Sequence, residues 1–122
     1  TPLERFGAWE SEAHRAARLV VDTGMHAFGW TRQQSIDVLR ERAGLSQLEA
    51  EIETDRYLAW PGQALSYMMG QREIMNLRAQ LEERDGDRFD HQVFHDEVIG
   101  HGSLPLDVLR EHLPGWVRPK AG

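Results

Sequence analysis

Tyr57, Trp60, Gln63 and Tyr67 carry hydrogen-bonding tips on largely apolar bodies. All four fall in one stretch, Asp55-Arg-Tyr-Leu-Ala-Trp-Pro-Gly-Gln-Ala-Leu-Ser-Tyr-Met-Met-Gly70. A helix that only packs is built from Leu, Ile and Ala. An apolar wall with a few placed polar groups is what a ligand pocket needs. Pro61 suits the first turn of a helix, where its missing N–H costs nothing. Gln63, Tyr67 and Gly70 then follow about one turn apart. The same tips can also be satisfied inside a buried corner, and both readings stand at this point.

Arg15, Arg18 and Asp22 share one face of a first helix by their spacing. Asp22 falls in its last turn, where the helix dipole disfavours a carboxylate. Arg18 before Asp22 is also the weaker order for such a pair. Something other than helix stability could therefore hold Asp22 there; the alternative is an ordinary surface ion pair. His26 follows Gly24, in what reads as a loop between helices, where functional residues concentrate.

Six His invite a metal reading. His91 and His95 are four apart and could share one zinc, with Glu97 and His101 close behind. The string His95-Asp-Glu-Val-Ile-Gly-His101 is not a zinc-protease signature, which needs its second His four positions after the first. Other catalytic patterns are poor. No Gly-rich phosphate loop is present, and Ser35, Ser46 and Ser103 lack a nucleophile elbow. Glu51 and Asp55 read as a solvated pair.

The elements that must position these residues read as helices throughout. Phe6, Trp9, Ala13, Ala16, Ala17 and Val20 recur at helical spacing, with Gly24 suited to the position past the end. Thr31-Arg-Gln-Gln34 and Ser46-Gln-Leu-Glu49 are capping boxes opening a second and third helix, the second ending at Gly44. Pro61 opens a long fourth helix to about Arg84. Its first half is apolar nearly all round and is expected to lie deep, its amphipathic second half near the surface. Asp90 caps a short fifth helix, with Phe89 and Phe94 placed for a hydrophobic staple. Gly100 and Gly102 break it. Ser103-Leu-Pro105 starts a last helix, stopped by Pro114. Residues 115–122 read as a loosely held tail.

The expectation is thus an all-α chain of about five to six helices with one long central helix, forming a single segment over residues 1–122. Its 122 residues suffice for one ordinary core. The net charge of −6 comes with acids and bases interspersed, so no basic face points to nucleic acid. Without Cys, disulfides and thiolate zinc sites are excluded. No apolar run reaches membrane-spanning length. The chain opens Thr1-Pro2 without Met, which suggests a processed product or a piece of something longer.

Several segments together resemble a bacterial family, the domain of unknown function 885 family. They are Arg18-Leu-Val-Val-Asp-Thr-Gly-Met-His26, Gly29-Trp-Thr-Arg-Gln-Gln-Ser-Ile-Asp37, Glu53-Thr-Asp-Arg-Tyr-Leu-Ala-Trp-Pro-Gly-Gln-Ala-Leu-Ser-Tyr-Met-Met-Gly70 and Phe94-His-Asp-Glu-Val-Ile-Gly-His-Gly-Ser-Leu-Pro-Leu-Asp-Val-Leu109. The resemblance implies the C-terminal part of a helical zinc metallopeptidase with a deep cleft. Its metal ligands would lie upstream, so this segment holds no cofactor and the longer protein holds zinc. By similarity to related cleft peptidases, His26 and Tyr67 are the catalytic candidates, donating hydrogen bonds to the oxyanion. Arg18, Asp22, Tyr57, Trp60 and Gln63 are the substrate-side candidates: Arg18 for a substrate carboxylate, Asp22 to orient Arg18 or His26, Tyr57 and Gln63 to line the cleft. The implied partners are the upstream part of the same protein and a peptide substrate. The isolated segment is expected to be inactive and to self-associate. A helical interaction module, or a small metal-binding protein using His91, His95 and His101, are the alternatives.

Overall fold

The computed structural model describes residues 1–120, and among these every regular element is a helix. In order they are α1 (Pro2–Phe28), α2 (Arg32–Ala43), α3 (Gln47–Ala59), a 3₁₀ turn (Gln63–Leu65), α4 (Ser66–Asp85), a second 3₁₀ turn (Gly86–Arg88), α5 (His91–Gly100) and α6 (Leu106–Trp116). The all-α expectation with about six helices holds.

The expected caps are present where the chemistry demanded them. Thr31 Oγ1 accepts from the Gln34 N–H at 3.2 Å while Gln34 Oε1 accepts from the Thr31 N–H at 2.8 Å. Ser46 and Glu49 repeat the exchange at 3.3 and 3.0 Å. Gly44 closes α2 at φ 71°. Asp90 accepts from Gln92 and Val93, and the Phe89 and Phe94 rings meet at 6.0 Å as a staple should.

Four expectations about the elements need correction. Gly24 does not end α1; the helix runs on to Phe28, and Gly29 makes the left-handed cap at φ 69°. Gly24 is present because Trp30 folds back onto the helix there, so a Cβ would sit 2.4 Å from the indole ring. His26 is therefore a helical residue. Pro61 does not open α4 either, because Gly62 turns left-handed at φ 83° and the 3₁₀ turn intervenes. Pro114 lies inside α6, in its last turn, about two turns past the start. The tail is held up to Lys120. Val117 is buried, the Arg84 guanidinium donates to the Pro114 and Val117 carbonyls at 2.6 and 2.9 Å, and the Lys120 N–H donates to the Arg88 carbonyl. Residues 121 and 122 lie outside the described residues.

The chain forms two compact units, the first Thr1–Met69 and the second from Gly70 onward, with the boundary inside α4. In the first, α1 packs on α2 and α3. Its core is Ala17, Val21, Met25, Ile36, Leu39, Ala50, Tyr57 and Ala64, with Trp30 packed against it. The second buries Leu77, Leu81, Phe94, Leu109, Leu113 and Val117. The expected depth along α4 is thus reversed. Tyr67 and Met69 are half-exposed, while Leu77 and Leu81 are buried. α1 also turns a different face inward than its apolar periodicity suggests. Phe6, Trp9 and Val20 are exposed, and Ala17, Val21 and Met25 make the core.

Candidate functional site

His14, Arg18, Asp22 and His26 stand four apart on α1, so they form one stripe along the helix. The stripe faces the end of α3 and the corner between α3 and α4, all within the first unit. Arg18 is buried, and its guanidinium carbon lies 4.5 Å from the Tyr67 ring centre and 5.5 Å from that of Tyr57. Its Nη2 donates to Gln63 Oε1 at 3.0 Å. Arg18, Tyr57, Gln63 and Tyr67 are thus gathered into one constellation.

Asp22 is also buried. Both its oxygens accept from the Gly62 N–H, at 3.1 and 3.2 Å. The expected orienting of Arg18 or His26 is replaced by this bond, so Asp22 ties the left-handed corner to α1. His26 Nε2 lies 3.1 Å from the Tyr57 carbonyl oxygen. A carbonyl only accepts, so Nε2 carries the proton; neutral His26 then has only an acceptor at Nδ1. Trp60 stays largely exposed, its backbone N–H donating to the Arg56 and Tyr57 carbonyls. Tyr57 is buried, so its ring is the support behind Arg18 and does not line an open surface.

Three partners of this constellation are not singled out by the sequence motifs. Glu53 accepts from the Tyr57 hydroxyl and from the Arg56 guanidinium. Arg56 Nη1 also donates to Gln63 Oε1 at 3.2 Å, so one amide oxygen serves two guanidinium groups. His14 Nε2 lies 3.8 Å from Glu53. The spacing of Glu53, Arg56 and Tyr57, three and four apart on one helix, is the signal that could have found them.

The electrostatics follow. Burial, then the Glu53 carboxylate, push the Tyr57 hydroxyl up, so Tyr57 stays a proton donor. Burial also raises Glu53, but the hydrogen bonds from Arg56 and Tyr57 outweigh it and hold the carboxyl below its ordinary value. Burial pushes His14 down against the upward pull of Glu53.

His91, His95 and His101 of the second unit have separate partners. His91 meets the Phe89 ring edge-on, His95 the Phe94 ring, and His101 stacks on Trp116 at 3.9 Å while its Nε2 lies 2.8 Å from Glu97. Among the described residues no group of three or more His, Asp or Glu is placed to hold a metal ion. Among the described residues no helix is long and apolar enough to cross a membrane.

Residues 1–113 match the family described as bacterial protein of unknown function, DUF885. The chain belongs to the DUF885 family. A solved structure described as "the putative lipoprotein from Colwellia psychrerythraea" is similar to this DUF885 chain at 43% identity and a TM-score of 0.91. The match covers 95% of this chain and 20% of that one, so the chain spans about a fifth of the length of the structure it matches. No curated protein matches it.

Proposed function

We propose that this DUF885 segment is a substrate-cleft wall of a zinc-dependent peptidase whose metal ligands lie elsewhere in a longer protein. The observation that carries the reading is the constellation around Arg18. Largely exposed Trp60 and half-exposed Tyr67 stand beside Gln63, over buried Arg18 and Tyr57 and partly buried Glu53. An outer face with a few polar tips on a fixed, hydrogen-bonded support is how a cleft wall is built.

In this reading Tyr67 donates its hydroxyl to the oxyanion of the tetrahedral intermediate. A preplaced donor of this kind is worth a few kcal/mol of barrier, about 3. His26 ranks behind it as a donor. Its Nε2–H is spent on the Tyr57 carbonyl, so it donates to substrate only as imidazolium. Asp22 acts on the site by fixing the corner that presents Gln63.

The exposed stripe of Leu3, Phe6, Trp9 and Val20 on α1 is where we place the upstream part of the protein. Contiguous apolar surface of this kind marks an interface. The test is peptide hydrolysis by the full-length protein, assayed with zinc supplied and after chelation. Zinc-restorable turnover that falls in Tyr67→Phe supports the reading. A folded full-length protein that cleaves no peptide with zinc present ends it, leaving the packing module.

A further inference from the structure

We propose that Arg18 receives the free α-carboxylate of a peptide, so that the substrates are peptides with an unblocked C-terminus. This rests on the cleft-wall reading and names the substrate class for it.

Arg18 is only 8% exposed, yet among the described residues it has no carboxylate within ion-pair distance, and its Nε has no hydrogen-bond partner. Buried charges are ordinarily paired. The two nearby carboxylates are committed elsewhere. Asp22, one turn along α1, gives both oxygens to the Gly62 N–H. Glu53 is taken by Arg56 and the Tyr57 hydroxyl. The Arg18 guanidinium is thus buried with no carboxylate of the described residues in direct contact and with Nε unpartnered.

The surroundings favour a planar monoanion. The guanidinium lies over the Tyr57 and Tyr67 rings, and with Nε itself buried it is the terminal Nη1–Nη2 edge that suits a carboxylate in bidentate fashion. Gln63 Oε1 accepts from both Arg18 and Arg56. That fixes the amide's orientation, with its oxygen toward the two guanidinium groups. A dianionic phosphate would bring two further negative charges beside Glu53 and Asp22, whereas a carboxylate brings one. Exposed Trp60 and Tyr67 flank the position with apolar surface for a C-terminal side chain.

The experiment compares three N-blocked peptides on the full-length protein with zinc supplied: a free C-terminal acid, its amide, and an amide carrying an internal Glu. Hydrolysis and calorimetric binding are both read, in the wild type, Arg18→Lys and Arg18→Gln. The expected result is a preference for the free acid over the amide of roughly 10–100-fold, mainly in KM, matching one charge-assisted hydrogen-bond pair. Arg18→Gln should abolish it and Arg18→Lys keep part of it. Equal hydrolysis of acid and amide by the wild type overturns the inference and leaves the peptidase reading intact. Binding of the free acid without any turnover, lost in Arg18→Gln, keeps the carboxylate site and removes the peptidase reading. Equal handling of the internal-Glu amide and the free acid overturns the assignment to the C-terminus. Absence of both turnover and acid-selective binding overturns both. The wild-type comparison decides even if an Arg18 variant fails to fold.

Discussion

The guanidinium of Arg18, from the middle of α1, lies over the ring of Tyr67, from the first turn of α4, with 4.5 Å between guanidinium carbon and ring centre. A cation over an aromatic face gains about 0.5–2 kcal/mol, more as it is desolvated. The contact therefore sets the position of Tyr67 through its ring and leaves the hydroxyl to other work. That separation makes the two roles of Tyr67 testable one at a time.

Tyr67→Phe keeps the ring under Arg18 and removes only the hydroxyl. In the full-length protein kcat should fall roughly 10²–10³-fold if the hydroxyl meets the oxyanion, with KM nearly unchanged because the bond strengthens in the transition state. The melting temperature should stay near wild type. Tyr67→Ala should in addition destabilise, since it uncovers a buried cation. Steady-state kinetics and melts on the same proteins read both; an unchanged kcat in Tyr67→Phe removes the residue from the catalytic candidates.

Asp22→Ala should loosen the corner that carries Gln63. Gly62 N–H loses the carboxylate that ties it to α1, a charge-assisted bond worth about 1.5–3 kcal/mol. Amide exchange at Gly62 and through Gln63–Leu65 should accelerate. Asp22→Asn retains an acceptor oxygen and should keep most of the protection. Exchange rates indistinguishable between Asp22→Ala and wild type would show that Gly62 is held by something else.

The parts of this architecture that depend on local chemistry were legible in the residues. The capping boxes at Thr31 and Ser46, the Asp90 cap and the Phe89–Phe94 staple are short-range patterns, and each is found as read. The gathering of Arg18, Tyr57, Gln63 and Tyr67 was approached through shared motifs, but their contacts depend on how α1 meets α3, which no local pattern encodes. Gly24 misled for the same reason. A Gly reads as a helix end from its neighbours, whereas here its cause is an indole ring arriving from Trp30. The apolar face of α1 misled because periodicity marks a face without saying what covers it. Glu53 and Arg56 are not singled out in the sequence, because their role depends on Tyr57 being buried beside them.

Acid should weaken the first unit in two steps. Burial lowers His14 from its ordinary 6.5. As the pH falls below 6.5 the unfolded chain takes up this proton first, so stability present above 6.5 is lost as the pH drops through the folded value. Glu53 is also held below its ordinary 4.5, despite burial, by Arg56 and Tyr57. Its contribution, present above 4.5, is lost at still lower pH. Melting temperature against pH should therefore decline from near neutrality downward. His14→Gln should flatten the upper step and leave the lower one. An upper step of the same size in His14→Gln would assign it to another group.

The isolated segment should self-associate through α1. Leu3, Phe6 and Trp9 are 79%, 61% and 62% exposed on one helix, and apolar surface of this kind invites association. Sedimentation should show weight-average mass rising with concentration, and Phe6→Glu with Trp9→Glu should suppress the rise. A concentration-independent monomer in the unaltered segment would count against an interface there.

Gly24→Ala opposes two physical effects of known sign. Alanine is the better helix former by about 1 kcal/mol, and Gly24 is helical, so propensity alone predicts stabilisation. The added Cβ, however, would sit 2.4 Å from Trp30 Cδ2 and Cε3. Trp30 cannot simply retreat, because its backbone N–H is bonded to the Gly24 carbonyl at 2.9 Å, just past the left-handed cap at Gly29. Overpacking of this sort costs about 1–3 kcal/mol. The collision should win, and Gly24→Ala should melt below wild type with altered Trp fluorescence. Gly7→Ala is the control on the same helix. Its Cβ meets nothing within 4 Å, so only the propensity gain remains and its melting temperature should rise or hold. If Gly24→Ala melts with Gly7→Ala, at or above wild type, the indole does not press on the helix and Gly24 has no packing role.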